Sequence, residues 1–342
     1  MDTGGVLELF SEVEKLRVQL MNNVEVMPDC QRVEGEVSHK EILTCIENII
    51  LGIVTSLSKD EAPILALPNR SSWANISFDS AIGLQMVSGS SITTIRSDCP
   101  SSVTKFAQIV KILSVIYRLV QSNSYATKRD IYYSNTQLFG SQSAVDSIVD
   151  DISCMLKVPR RSLHVLATSK GLISGDLCYM EEDGTRIDCY SSSTGKGVPD
   201  VNSRLMVRKL WDTLHIPVFA LVDADPHGIE IMCIYKYGSV AMSFEAHSLT
   251  VPSVMWLGLL PSDLQRLRVP EDALIPLTKR DESKLSSLLK RPYLTSQPDW
   301  QREMELMQQT KVKAEIQSLA AIAPDFLTNT YLPNKLRYGG WV

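Results

Sequence analysis

At 342 residues, the chain is longer than a typical domain of about 100–200 residues, so we expect two or three domains. Its 44% apolar residues suit a globular protein with a real core, and a net charge of −5 argues against DNA binding through overall charge. Seven cysteines without a Cys-x-x-Cys pair argue against a common zinc or redox motif and favour reduced thiols inside the cell.

The N-terminal part is predicted to be helical. An amphipathic helix over residues 6–22 is followed, after a polar linker, by an apolar helix over 42–54. The first helix suits either a partner surface or packing on the protein's own core. The apolar runs are far shorter than the ~20 residues of a membrane span, so we expect no membrane partner. We separate these helices, 1–58, from a Ser-, Asn- and Pro-rich segment, 59–103, that we expect to be irregular.

Three helices and a hairpin are predicted within residues 104–190. The helices cover 104–121, 127–133 and 144–156, and the strand-like runs cover 163–167, 177–180 and 185–189. This order is typical of a winged helix, a DNA-docking variant of the helix-turn-helix. A generic small α+β domain would show the same order, so the pattern alone leaves both open.

Basic side chains without neighbouring acids follow the third of these helices and continue into the hairpin. They are Lys157, Arg160, Arg161 and Lys170. Such a group suits contacts with DNA phosphates. Basic and acidic residues are nearly equal in number across 126–210, however, so a mixed solvated face is the alternative.

Residues 191–342 are predicted to form an α/β unit. Helices are expected at 201–214, 281–290 and 298–322 and from residue 226 through Tyr237, with strands at 216–222 and near 240–244. Asp223-Ala-Asp225 follows the first strand directly, where the carboxyl end of a buried parallel strand carries functional groups. Two carboxylates at i and i+2 suit Mg²⁺, but Asp225 before Pro226 also suits a helix cap.

Two further motifs carry possible chemistry. Thr194-Gly-Lys-Gly197 lacks the Gly at 190 and the Ser or Thr at 197 of a nucleotide-binding loop, but Lys196 between glycines suits a DNA phosphate or a flexible turn. Arg129 precedes Tyr133 by one helical turn, where its charge would favour a phenolate. Adjacent tyrosines are more often core aromatics, so the residues alone do not establish a nucleophile.

Four motifs in register carry a family resemblance. They are Ala126–Tyr133, Gly195–Asp200, Asp223–Gly228 and Leu332–Lys335. Together they resemble the DNA-cleaving A subunits of type IIB topoisomerases, in the branch that makes meiotic double-strand breaks, from about residue 40 to the C terminus. The resemblance implies a multidomain fold of mixed α/β and α+β type, with a winged-helix domain followed by a Toprim α/β domain.

The resemblance also implies a mechanism and partners. Tyr133 would attack DNA and leave a 5′ phosphotyrosyl link, helped by Arg129, with Mg²⁺ on Asp223 and Asp225. The DNA-contacting residues we predict are Lys128, Arg160, Arg161, Lys170 and Lys196. Expected partners are double-stranded DNA, a second copy in a homodimer and a topoisomerase VI B-like ATP-binding subunit, on chromosomes in the nucleus.

The chain departs from this family at the start of the Toprim domain. There the family has a strand ending in a metal-binding glutamate, then a helix and a second strand, and such a unit needs ~30 residues. Here only residues 190–194 separate the hairpin from Gly195, and Glu181 and Glu182 lie in a predicted turn. We therefore expect a truncated and less stable Toprim domain, a weakened metal site and weakened or absent cleavage. The alternative is a non-catalytic DNA-binding or assembly protein.

Overall fold

The computed structural model describes residues 38–87, 89–166, 175, 178–180, 186–188 and 201–342. The predicted helix at 6–22, Lys170 and the loop around Lys196 lie outside them. The α-helices are α1 (His39–Ser58), α2 (Val103–Gln121), α3 (Lys128–Ser134), α4 (Thr136–Phe139), α5 (Gln142–Leu156), α6 (Val201–Leu214), α7 (Pro226–Tyr237), α8 (Ala246–Leu249), α9 (Pro261–Arg266), α10 (Lys279–Leu288), α11 (Pro298–Thr310) and α12 (Leu332–Tyr338). The strands are β1 (Ile64–Pro68), β2 (Ile76–Asp79), β3 (Gly83–Met86), β4 (Ile92–Arg96), β5 (Ala126–Thr127), β6 (Val165–Leu166), β7 (Cys178–Met180), β8 (Arg186–Asp188), β9 (Phe219–Leu221), β10 (Met255–Gly258), β11 (Ile275–Pro276) and β12 (Val312–Lys313).

A first core forms between α1, α2 and α5. Apolar residues at helical spacing on α2 and α5 are fully buried, and α1 adds two isoleucines. These residues are Ile42, Ile46, Ile109, Ile112, Leu113, Ile116, Val145, Ile148, Val149 and Ile152. The rest of α1 is mostly exposed, and among the described helices it alone is long and apolar enough, with a mean hydropathy of 1.5, to cross a membrane. The unbroken apolar runs in the sequence did not indicate this, because they are much shorter than the helix.

The segment 59–103, expected to be irregular, forms two antiparallel strand pairs. β1 pairs with β4, and β2 pairs with β3. Its many polar residues make specific bonds: the Asn75 amide donates to Asn69 O (2.7 Å) and Ser91 Oγ (2.9 Å), and Ser91 N donates to Asn75 Oδ1. Four- and five-residue strands joined by such polar loops show too little alternation to be predicted.

Helices α3, α4 and α5 precede the hairpin of β7 and β8. The side chain of Thr127 accepts a hydrogen bond from the Asp130 amide and caps α3, as predicted, and Ser141 caps α5. β5 and β6 pair in parallel, and β7 and β8 pair in antiparallel.

The second half of the chain is built around β9 and β10, which pair in parallel. The second strand was expected near 240–244, but Val240–Glu245 forms a 3₁₀ helix and the strand is β10. A short apolar run does not distinguish a strand from a buried helical turn, and here Met242, Ser243 and Glu245 are buried without alternation.

The helix expected over 298–322 is also interrupted. α11 ends at Thr310 because Lys311 adopts a left-handed conformation (φ 57°), and the chain continues as β12, which pairs with β11. A second hydrophobic core, rich in aromatic and sulfur-containing side chains, packs against these elements. It includes Tyr237, Trp256, Tyr293, Trp300, Met304 and Met307.

The two edges of the β9–β10 pair differ. On the β10 side, the C-terminal residue Val342 exchanges two backbone hydrogen bonds with Trp256 (2.7 and 3.1 Å). On the β9 side, no strand within the described ranges is paired, and Leu221 and Ile216 near this edge are 38% and 44% exposed. β9 is therefore an edge strand in the part of the chain that the structure describes.

Candidate active site

Tyr133 lies on the outer face of α3. The capping box of Thr127 and Asp130 begins the helix, and Ile131 is buried at 1% exposure. Because Tyr133 follows Ile131 by two positions, it points away from the core and is 72% exposed. Its ring packs against Tyr132 with centroids 5.2 Å apart. This exposure argues against the core-aromatic interpretation of Tyr133.

The two basic residues of α3 face different surroundings. Arg129 is exposed, one turn before Tyr133. The Nζ atom of Lys128 instead lies 3.5 Å from Asp146 Oδ1 and 3.7 Å from Asp150 Oδ1, both on α5. Burial and the charge of Arg160 lower the pKa of the Lys128 ammonium, while the two aspartates oppose this shift. Lys128 thus holds α3 against α5, and Arg129 is the basic residue beside the phenol.

The predicted DNA contact of Arg160 is corrected by its position. Arg160 is only 7% exposed, and its Nη2 atom lies 2.7 Å from Asp150 Oδ1. A buried, ion-paired guanidinium does not face a DNA phosphate. Arg161 is exposed at the adjoining position. The aspartates of α5 therefore bind much of the basic charge that the sequence had suggested for DNA.

Asp223 and Asp225 lie just past the end of β9. Asp223 Oδ1 accepts a hydrogen bond from the backbone N–H of Ile316 (2.7 Å). Asp225 caps α7 by accepting from Gly228 N, so the capping alternative is correct for this residue. A Cβ atom at Gly228 would lie only 2.8 Å from the carbonyl oxygen of Asp223, which makes glycine necessary in this turn.

The surroundings of Asp225 disfavour its charge. Burial raises the pKa of the Asp225 carboxyl, the hydrogen bond from Gly228 lowers it, and the nearby charge of Asp223 raises it further. The Oδ2 atoms of Asp223 and Asp225 accept no hydrogen bond from a residue that the structure describes. Two carboxylates with oxygens available in this way suit a divalent cation.

The candidate metal ligands are two carboxylates, Asp223 and Asp225. Within the described ranges, no group of three His, Cys, Asp or Glu side chains is placed to share a metal ion. The oxygen chemistry therefore fits Mg²⁺, but with one ligand fewer than the resemblance implies.

Sequence reasoning missed Asp281 and Lys313, which lie beside this pair. Lys313 Nζ is 2.8 Å from Asp281 Oδ2, and His227 Nε2 is 3.7 Å from Asp281 Oδ1. The pattern Thr278-x-x-Asp281 would have predicted the start of α10. Nothing in the sequence connects that helix start with Asp223 and Asp225.

The tail motif around Lys335 forms a buried ion pair. Lys335 Nζ lies 2.7 Å from Asp263 Oδ2, both side chains are at most 4% exposed, and Tyr331 donates a hydrogen bond to the same oxygen (2.6 Å). This motif thus attaches α12 to α9 rather than contributing a site residue.

Comparison with known proteins decides the family. A profile described as "Type IIB DNA topoisomerase" matches residues 104–165, and a profile for the Toprim domain of Spo11 and the topoisomerase 6 A subunits matches residues 193–336. The meiotic recombination proteins SPO11 of Mus musculus and Homo sapiens are each 56% identical over 354 aligned positions, covering 89% of this chain and 89% of the relative. The chain belongs to the Spo11 and topoisomerase VI A-subunit family.

The chain is also similar to relatives outside the meiotic branch. The A-type chain of DNA topoisomerase 6 of Arabidopsis thaliana is 31% identical, over 88% of this chain and 81% of its own length. The chain is therefore a topoisomerase-like protein of meiotic double-strand-break formation, with type IIB DNA cleavage as its reaction and a Toprim domain in a mixed α/β structure. The non-catalytic alternative is not favoured by these matches.

Proposed function

We propose that Tyr133 is the nucleophile with which this member of the family cleaves DNA, assisted by Arg129. The observation that carries this proposal is a phenol that is 72% exposed on a helix whose opposite face is fixed by buried Ile131. The tyrosine oxygen forms a bond to a backbone phosphorus, and the bond from that phosphorus to the 3′ oxygen breaks. The products are a 5′ phosphotyrosyl link and a 3′ hydroxyl. The exposed Arg129 charge stabilises the phenolate and the attacked phosphate.

Asp223 and Asp225 would hold Mg²⁺ in this proposal. The ion, when bound, screens the phosphate and stabilises charge on the leaving oxygen. Each aspartate has one oxygen fixed by a backbone N–H, from Ile316 and Gly228, and a second oxygen available to the ion. With two carboxylates, we expect weaker metal binding than in a relative with a third, and slower cleavage at limiting Mg²⁺.

We also propose a winged-helix domain over 104–190 and a shortened Toprim domain over 191–342. The three helices and the β7–β8 hairpin support the first. The comparison with the mouse relative supports a shortened chain, because about 50 of the 354 aligned positions lack a residue of this chain. The edge position of β9 agrees with strands missing beside it.

The partners we propose are DNA, a second copy and a B-type subunit. In a homodimer the tyrosine of one chain would meet the metal site of the other, and two such sites cut both strands. The exposed apolar face of α1, with Leu51, Val54 and Leu57 each more than half exposed, suits the topoisomerase VI B-like partner. Arg161 is the described basic residue we propose for DNA phosphates, on chromosomes in the nucleus.

Covalent capture tests the nucleophile. Full-length protein, with a B-type partner, is incubated with internally labelled supercoiled DNA and Mg²⁺ and then denatured. We expect labelled DNA to remain bound to wild type and to Tyr132→Phe, and to be absent from Tyr133→Phe. An adduct that persists in Tyr133→Phe would overturn the assignment. Because each variant removes one hydroxyl from neighbouring tyrosines, a general loss of folding would affect both.

A further inference from the structure

A buried aspartate outside the Asp223–Asp225 pair contacts both sides of the proposed metal site. Asp281, in the first turn of α10, is 3% exposed. Its Oδ2 atom accepts hydrogen bonds from Thr278 N (3.0 Å) and Thr278 Oγ1 (2.7 Å). A helix cap is usually made at the protein surface, where it needs neither burial nor a cation. Asp281 has both, which points to a role beyond capping.

On one side, Asp281 holds the strand that passes Asp223. Lys313 Nζ lies 2.8 Å from Asp281 Oδ2. The next residue, Ala314, donates from its N–H to Ala224 O (3.1 Å), and Ile316 N–H donates to Asp223 Oδ1 (2.7 Å). Residues 312–316 therefore run along the Asp-x-Asp turn, and one of their N–H groups fixes the orientation of the Asp223 carboxylate.

On the other side, Asp281 faces the start of α7. His227 Nε2 lies 3.7 Å from Asp281 Oδ1. His227 directly precedes Gly228, whose N–H fixes the Asp225 carboxylate. The same buried aspartate thus contacts the two chain segments that orient Asp223 and Asp225.

We infer that Asp281, through Lys313, is a positioning residue for the metal site of the cleavage reaction. The inference rests on the proposed metal role of Asp223 and Asp225. A site with only two carboxylates depends strongly on how well they are oriented before the ion binds, and loss of such outer partners typically weakens metal affinity or activity by about 10–100-fold.

The chain supplies a matched control for this inference. Lys311 lies two residues before Lys313, and its Nζ is 2.8 Å from Glu282 Oε1, the neighbour of Asp281 on α10. Both of these side chains are exposed. Lys311→Met and Glu282→Gln therefore remove an ion pair between α10 and the residue just before β12, without affecting the groups that orient Asp223.

The test measures Mn²⁺ binding to the full chain by calorimetry, with the melting temperature in EDTA as a check of folding. We expect Asp281→Asn and Lys313→Met to raise the dissociation constant for Mn²⁺ by about 10-fold or more, and Lys313→Arg to restore most of the affinity. Adduct formation should recover at high Mg²⁺ in the weakened variants. Lys311→Met and Glu282→Gln should bind as wild type does.

Several outcomes would overturn the inference. If Asp281→Asn and Lys313→Met bind Mn²⁺ as wild type does while Asp223→Asn does not bind it, the metal site stands and the role of Asp281 is wrong. If Lys311→Met weakens binding as much as Lys313→Met, the effect is not specific. If wild type binds no Mn²⁺, the proposed metal site itself fails. If Asp281→Asn does not fold, the inference is tested by Lys313→Met and Lys313→Arg alone: equal dissociation constants for Mn²⁺ in these two variants would overturn it.

Discussion

Asp225 caps a helix, but its surroundings disfavour its negative charge when no metal ion is bound. As the N-cap of α7 it accepts a hydrogen bond from Gly228, and as a half-buried carboxylate beside Asp223 it carries a charge that its surroundings disfavour. A bound cation would remove this penalty, because it offsets both negative charges. Capping and metal binding were alternatives on the sequence alone, whereas the position of Asp225 allows both.

We predict that Asp225→Asn keeps or increases stability in EDTA at pH 7. Burial raises the pKa of Asp225 above its unfolded value of about 3.8, so the native state binds the extra proton between the two pKa values. The free energy of unfolding therefore falls as pH rises through that window. It stays reduced above the raised pKa, where the Asp225 carboxylate is charged. Asparagine removes the charge but still caps the helix. Alanine removes the charge and the cap, so the free energy of unfolding of Asp225→Ala should be about 1 kcal/mol lower than that of Asp225→Asn.

Urea unfolding checks this prediction at pH 7 and at pH 4. The advantage of Asp225→Asn over wild type should shrink at pH 4, where the wild-type carboxyl takes up a proton. Added Mg²⁺ should stabilise wild type but not the variant. An Asp225→Asn protein no more stable than Asp225→Ala would contradict the argument.

Among the secondary-structure elements, β9 has one edge that no described strand covers, and this edge affects the solubility of the protein. It pairs with β10 on one side, and no described strand covers its other side, where an edge offers unpaired backbone groups to another chain. β10, by contrast, is covered by Val342. Because apolar side chains near this edge are exposed, we expect the β9 edge, as the described residues show it, to favour self-association.

We predict that Ile216→Lys reduces aggregation of the purified chain without changing its fold. Ile216 is 44% exposed next to β9, and a lysine at a strand edge opposes pairing with another chain. Light scattering during storage at 37 °C measures the effect, with circular dichroism as the check of folding. Ile322→Lys is the control, because Ile322 is 36% exposed but follows a 3₁₀ helix and lies on no strand. Equal effects of the two substitutions would argue against an edge-specific cause.

At the level of the whole described unit, the C-terminal segment completes the second core. Lys335 and Asp263 form a buried ion pair, Tyr331 donates to the same carboxylate, and Val342 pairs with β10. Burial alone would raise the pKa of Asp263, but the bonds from Lys335 and Tyr331 outweigh it, and the pKa is lowered. This carboxylate therefore contributes stability above its unfolded pKa, and the contribution is lost as pH falls through the folded pKa.

We predict that Lys335→Met lowers the free energy of unfolding by about 3 kcal/mol, the lower end for a broken buried ion pair, because Arg266 still pairs with the other oxygen of the Asp263 carboxylate. Chemical denaturation measures this loss. Arg337→Met, on the exposed face of the same helix, should change stability little. Adding Asp263→Asn to Lys335→Met should recover part of the loss. A Lys335→Met protein as stable as wild type would show that the pair contributes nothing.

The sequence by itself determined several of the long helices, the cap at Thr127, the strand before Asp223 and the family motifs, because each depends on neighbours within a few residues. It did not determine that Arg160 is buried while Tyr133 is exposed, since the ion pair of Arg160 with Asp150 of α5 and the packing of α3 decide which side chains face the core. Nor did it connect Ile316 with Asp223, which are 93 positions apart. Periodicity records only which face of an element is apolar, so contacts between distant elements were decided by the tertiary structure.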